Sequence, residues 1–123
     1  MRRLLVVEDN LDVLGIMEYM IKDWEYDVAT DFNSAQELLK TKNYDLVISD
    51  FNFPGGNGND VAEIAGKIGK EVWLHTADEY SDLINTPLYN KVFKKLDRQM
   101  FDELAALKEV YDYSQPTRIV EGL

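Results

Sequence analysis

Two of the most apolar stretches of the sequence end in acid. The first runs into Val7-Glu8-Asp9-Asn10 and the second into Ile48-Ser49-Asp50-Phe51-Asn52. A third apolar run closes on Leu74-His75-Thr76-Ala77, and a brief one on Phe93-Lys94-Lys95. If these runs are strands of one parallel sheet, their carboxyl ends form a single rim, the place where open parallel sheets bind ligands. Glu8, Asp9, Asp50, Thr76 and a lysine would then converge. Carboxylates a few ångströms apart repel each other, and a divalent cation is the usual remedy. Oxygen-only ligands without Cys or His suit Mg²⁺, which also neutralises an incoming phosphoryl group. A carboxylate so placed can attack phosphorus and become an aspartyl phosphate, with positioning and charge neutralisation supplying most of the catalysis. Taken singly, each residue has a plainer reading: Asp9 as a helix N-cap, Thr76 as a strand residue, Lys94 as a solvated charge. Asp50 is harder to dismiss, because Asp50-Phe-Asn-Phe-Pro54-Gly-Gly-Asn-Gly58 ties it to a loop of defined geometry.

The elements that must position these residues are legible in outline. Leu4–Val7, Leu46–Ile48, Val72–Leu74 and Val92–Phe93 lack period-two alternation, as expected of strands buried on both faces. A weaker strand is expected at Asp27–Thr30. Between them lie helical stripes: Val13, Met17, Met20 and Trp24, widened by Ile16 and Ile21; Leu38 and Leu39 after a capping box at Ser34-Ala-Gln-Glu37; Val61, Ile64, Ala65 and Ile68, ending near Gly69; and Phe101, Leu104, Leu107 and Tyr111, capped by Asp97. Alternation of strand and helix predicts an α/β fold, a doubly wound five-stranded parallel sheet of flavodoxin-like type with helices on both faces. The segment Asp78–Asn90 contains Asn85, Thr86 and Pro87, so the fourth helix is expected to be short or irregular, a turn around Ser81–Ile84 followed by a loop.

Length and charge bound the function. The 123 residues suit one domain, expected over 1–113 with a C-terminal tail at 114–123. A net charge of −10 disfavours nucleic-acid or membrane binding by the whole surface and favours cations. Cysteine is absent, and the short apolar start is neither a signal sequence nor a membrane span. A cytoplasmic location is the resulting expectation.

These residues together resemble the receiver domain of two-component response regulators, over nearly the whole chain. Val6-Val7-Glu8-Asp9-Asn10 is similar to the family's acidic pair, and Leu46-Val-Ile-Ser-Asp50 to its phosphoacceptor strand. Pro54 and Gly58 fall four and eight residues after Asp50, as in the family's loop. Thr76-Ala77 fits the switch hydroxyl, and Lys94, with Leu96 and Asp97 after it, fits the family's lysine. The resemblance implies that Asp50 is the nucleophile, that Asp9 binds Mg²⁺ directly, Glu8 through water, and Asn52 through its backbone carbonyl. Lys94 and Thr76 would hold phosphoryl oxygens. The donor would be a phosphohistidine on a histidine kinase or phosphotransfer protein, and the output an affinity change for a partner protein. Such a domain catalyses its own phosphorylation and dephosphorylation without being a turnover enzyme, and members often dimerise. His75 reads as a packing or surface residue, and Asn52 and Asp78 as polar neighbours of the hydrolytic water.

The sequence departs from the family in three places. Lys95 stands where a proline, normally cis, follows the lysine. A non-proline cis bond costs ~3 kcal/mol, which favours a trans or strained loop, and it leaves Lys95 as the alternative rim lysine. Thr76 to Lys94 is shorter than usual. The aromatic switch position, three residues before the lysine, is Lys91, with Tyr89 two residues earlier. The alternative function is a pseudo-receiver, a protein-binding module working without phosphorylation. A Mg²⁺-dependent phosphohydrolase would need an acid where Asn52 stands, and a flavodoxin-like nucleotide binder would need a Gly-rich loop after the first strand.

Overall fold

The computed structural model describes residues 3–113; the expected tail, 114–123, lies outside them. Strands β1 (Arg3–Val7) and β3 (Leu46–Ser49) are buried at every position but the first of β1. Leu4 to Val7 and Leu46 to Ile48 are all fully buried, which explains their unbroken apolar runs: each successive side chain meets a covered face. They pair in parallel, Val6 opposite Ile48 and Val7 opposite Ser49. β2 (Glu25–Ala29) adds to the outer edge of β1, and β6 (Glu71–Thr76) and β7 (Lys91–Lys94) extend the sheet beyond β3. The order is β2-β1-β3-β6-β7, all parallel. This is the flavodoxin-like sheet expected, with its order reversing between β1 and β3.

Helices α1 (Leu11–Met20) and α4 (Arg98–Tyr113) supply Leu14, Met17, Met100 and Leu104 to one face, against Leu4, Val6, Ile48, Trp73 and Phe93. Helices α2 (Phe32–Thr41) and α3 (Gly58–Lys67) supply Ala35, Leu39, Val61, Ala62 and Ala65 to the other, against Leu5, Val7, Val47 and Leu74. Of the expected stripe, Met17 in α1 and Ile21 and Trp24 just beyond it are buried, and Leu14 joins them. Ile16 and Met20 face solvent instead.

Local signals differ from expectation at two points and agree with it at a third. Helix α2 is capped by Asp31, whose extended backbone lets Oδ1 accept the Ser34 N–H at 2.7 Å; Ser34 is inside the helix, not its cap. The edge strand spans Glu25–Ala29 rather than Asp27–Thr30, and its acids are neutralised by Arg3 (3.2 Å to Glu25, 3.6 Å to Asp27) and Lys42 (3.3 Å to Asp27). Between β6 and β7 only turns occur, closed by Ser81 N–H to Asp78 O and Ile84 N–H to Ser81 O, then a 3₁₀ turn at Thr86–Leu88 holding Pro87. The expected irregular fourth helix is thus a run of single turns.

The loop after β3 forms a small hairpin, β4 (Asn52–Phe53) with β5 (Gly56–Asn57). Pro54 presets its turn, and Gly55 takes a φ of +86° that other residues resist. Gly58 then opens α3 in a gap that has no room for a side chain. A Cβ there would lie 2.9 Å from the Asp50 carbonyl and 2.8 Å from the Tyr89 hydroxyl. Gly58→Ala should therefore destabilise the fold by about 1–3 kcal/mol, measured by urea unfolding; an unchanged midpoint would show that the gap can open freely.

Candidate functional site

The rim is assembled by period-two alternation carried past the strand ends. Leu4, Val6 and then Glu8 face α1 and α4; so do Leu46, Ile48 and then Asp50. On the other side of the rim, Trp73 is followed two residues later by His75, and Phe93 by Lys95. Glu8 and His75 are fully buried and Asp50 is 6% exposed. Asp9 stays exposed, because the helix-capping role falls to Asn10, whose Oδ1 accepts from the Asp12 and Val13 N–H groups. Glu8, Asp9 and Asp50 each bring a carboxylate oxygen within 4.8 Å of the others.

The lysine at this site is Lys95, not Lys94. Lys95 Nζ lies 3.1 Å from Asp50 Oδ2 and 3.4 Å from Glu8. Lys94 is the last residue of β7, paired with Thr76, and its side chain is exposed. The reason is parity: Phe93 packs toward α1 and α4, so Lys94 points away and Lys95 returns to the acidic face. Asp97 still caps α4, its Oδ1 accepting the Gln99 N–H at 2.9 Å. Leu96 then occupies the position where the family has proline. No peptide bond among the described residues is cis, and Leu96 takes a φ of +59°, a left-handed conformation that costs a branched residue about 1–2 kcal/mol. The switch position three residues before the lysine becomes Val92, half-buried.

Asp50 has its carboxylate held from the backbone. Its Oδ1 accepts the Phe51 N–H at 2.8 Å, and its own N–H donates to Val7 O at 2.8 Å. Thr76, 5% exposed, Asn52 and Asp78 line with it a cleft of about 270 Å³, which Ser81 also borders. Ser81 carried no sequence signal, since only the turn at 78–84 brings it there. His75, expected as a packing or surface residue, is buried, with Nε2 3.2 Å from Glu8 Oε1, as the alternation of β6 places it.

The electrostatics reflect too much negative charge. Burial first, and then the Glu8 carboxylate, push the Asp50 acid above its ordinary range, against the pull of Lys95 and the Phe51 N–H. Glu8 goes the other way. Burial would raise it, but His75, the Asn10 N–H and Lys95 together outweigh that and hold it below its usual range. Lys95 is also opposed by burial, and the two carboxylates still raise it.

A family model described as the response regulator receiver domain matches residues 4–105. Among solved structures, a response regulator protein of Thermotoga maritima, in complex with Mg²⁺ and BeF, is 27% identical with a TM-score of 0.76, covering 89% of this chain and 98% of that one. A CheY-like receiver domain of Methanospirillum hungatei (20%, TM-score 0.74, 92% and 95% covered) shares the fold. So does the receiver domain of a Pseudomonas aeruginosa sensor histidine kinase with Mg²⁺ in its cleft (17%, TM-score 0.77, 92% and 98% covered).

The raised Asp50 acid has a measurable consequence. In acid, Asp50 is protonated in both folded and unfolded chains and exacts no penalty. As pH rises, the unfolded chain ionises first, and stability is lost until the folded carboxyl ionises too. In metal-free buffer at neutral pH, Asp50→Asn should therefore be more stable than wild type, by on the order of 1 kcal/mol. That gain should shrink as pH falls through the carboxylate range. Thermal unfolding across pH checks this; a variant less stable at neutral pH would mean that the Lys95 pairing outweighs the burial.

Proposed function

The chain belongs to the response regulator receiver domain family, and from that premise we propose that it is a phosphoacceptor in a two-component or phosphorelay pathway. The observation that carries this is the arrangement at Asp50. A nearly buried carboxylate opens on a cleft between one ammonium, Lys95 at 3.1 Å, and two further carboxylates, Glu8 and Asp9.

The donor set fits Mg²⁺. All three side chains offer oxygen, their atoms lie within 4.8 Å, and a single ammonium leaves the cluster short of positive charge. Asp9, Glu8, Asp50 and the Asn52 backbone would hold the ion, with which phosphoryl oxygens could be neutralised. The chain's own residues do the rest. The Phe51 N–H fixes one Asp50 oxygen and so orients the carboxylate. An Asp50 oxygen forms the new bond to phosphorus as the P–N bond of a phosphohistidine breaks, and the electron pair leaves with the imidazole nitrogen. Lys95 follows the charge from the carboxylate to a phosphoryl oxygen, and Thr76, at the edge of the cleft, donates its hydroxyl to another. A histidine kinase or histidine phosphotransfer protein supplies the group, and a downstream protein reads the product.

A second reading is favoured by residues 77–90, where turns replace a helix, and by Val92, which takes the place of a switching ring. It makes the domain a binding module that works without phosphorylation. Incubation with acetyl phosphate and Mg²⁺ followed by intact-mass measurement separates the two. A phosphoryl adduct is expected in wild type and in Lys94→Ala, absent in Asp50→Asn, and formed at least about tenfold more slowly in Lys95→Ala. No adduct in wild type would favour the binding module.

Asn52 and Asp78 both border the cleft with exposed polar side chains. We further propose that they admit and orient the water that hydrolyses the acyl phosphate. Replacing both with leucine should slow decay of the adduct severalfold; an unaltered decay rate would remove them from the hydrolytic path.

A further inference from the structure

Beneath the rim lies a polar contact that the reaction outlined above does not use. His75 occupies the penultimate position of β6, on the Trp73 side of the strand, and neither it nor Glu8 has any solvent exposure. His75 Nε2 sits 3.2 Å from Glu8 Oε1, in contact but short of a well-aligned hydrogen bond, and Nδ1 meets no partner among the described residues. The other Glu8 oxygen accepts the Asn10 N–H at 3.1 Å, and Lys95 Nζ stands 3.4 Å from both oxygens. Glu8 is thus gripped from three directions: by backbone at the start of α1, by Lys95 from the open side, and by an imidazole from the core.

The imidazole matters because Lys95 is shared. The same ammonium lies 3.1 Å from Asp50 Oδ2. A buried carboxylate oxygen without a donor is costly, and besides the imidazole, Lys95 Nζ stands 3.4 Å from Glu8 Oε1. Remove the imidazole and the ammonium is drawn toward Glu8 and away from Asp50. An imidazole that presents an Nε2–H to Oε1 supplies the donor that this oxygen needs.

We propose that His75 is a positioning residue for this site: by holding Glu8 Oε1 from beneath, it fixes the second carboxylate of the cation site and leaves Lys95 to Asp50. This rests on the phosphoacceptor reading and deepens it. The His75 ring would not touch the ion or the phosphoryl group; it acts through Glu8, as partners behind metal ligands commonly do.

The test is Mg²⁺ binding by calorimetry on the full chain, without phosphodonor, alongside thermal unfolding. His75→Leu removes the donor at similar volume and should weaken Mg²⁺ binding about 10- to 100-fold. His75→Gln keeps an N–H donor of comparable reach and should bind within a few-fold of wild type. In a Glu8→Gln background, which lacks the buried charge and so protects the fold, His75→Leu should change Mg²⁺ affinity no further. Acetyl phosphate labelling should slow in His75→Leu and recover in His75→Gln. Wild-type affinity in His75→Leu would overturn the inference, as would an equal loss in the Glu8→Gln background. So would a His75→Gln variant that folds yet binds as weakly as His75→Leu. Wild-type protein that takes up no Mg²⁺ would overturn the phosphoacceptor reading along with it.

Discussion

Two buried carboxylates share one ammonium at the carboxyl end of the sheet, and most of what surrounds them follows from that shortage of positive charge. Asp50 is pushed toward protonation by burial and by Glu8. Glu8 is kept ionised by His75, the Asn10 N–H and Lys95. Lys95 serves both and cannot fully satisfy either. Such a site is costly as a structural element, because desolvated charges are rarely repaid by their own pairing. It makes chemical sense as a receptacle for a cation and for a group whose oxygens need neutralising.

The fold delivers this arrangement through strand parity. Side chains at positions 4, 6 and 8, at 46, 48 and 50, at 73 and 75, and at 93 and 95 all lie on one side of the sheet. Within each strand they build the core beneath α1 and α4. One step beyond the apolar part, the same alternation presents Glu8, Asp50, His75 and Lys95. Core and site are therefore one pattern with a change of residue type at its end. A register slip of one residue in β7 would expose Phe93 and withdraw Lys95 together.

Much of this was legible in the sequence, and the lapses share a cause. The apolar runs located the central strands because a doubly covered strand has few other ways to be read, and Glu8, Asp9 and Asp50 followed from where those runs end. Lys94 suits the spacing to the Asp97 cap, a local signal compatible with either lysine; the parity of Phe93 decides for Lys95. The same parity, read from Trp73, sets His75 beside Glu8. Ser34 looked like a cap by motif, but Asp31 was better placed by backbone. The path of residues 77–90 was legible only as irregular, with a turn at Ser81–Ile84. It depends on long-range ties, such as Asn59 Nδ2 donating to Leu83 O at 2.9 Å and the Tyr89 hydroxyl donating to Asn59 Oδ1 at 2.7 Å. Those ties hold the segment to the start of α3, beside Gly58 and the loop that follows Asp50.

The central claim is that residue 50 itself takes the phosphoryl group, its carboxylate chosen over Glu8 and Asp9 by orientation and by Lys95. Borohydride reduction addresses this at single-residue resolution, since an acyl phosphate is reduced to an alcohol while a free carboxylate is untouched. After labelling with acetyl phosphate and Mg²⁺, reduction and peptide mapping should find homoserine at position 50 and unmodified Glu8 and Asp9. Reduction at Glu8 or Asp9, or at no position in a protein that carries phosphate, would contradict it.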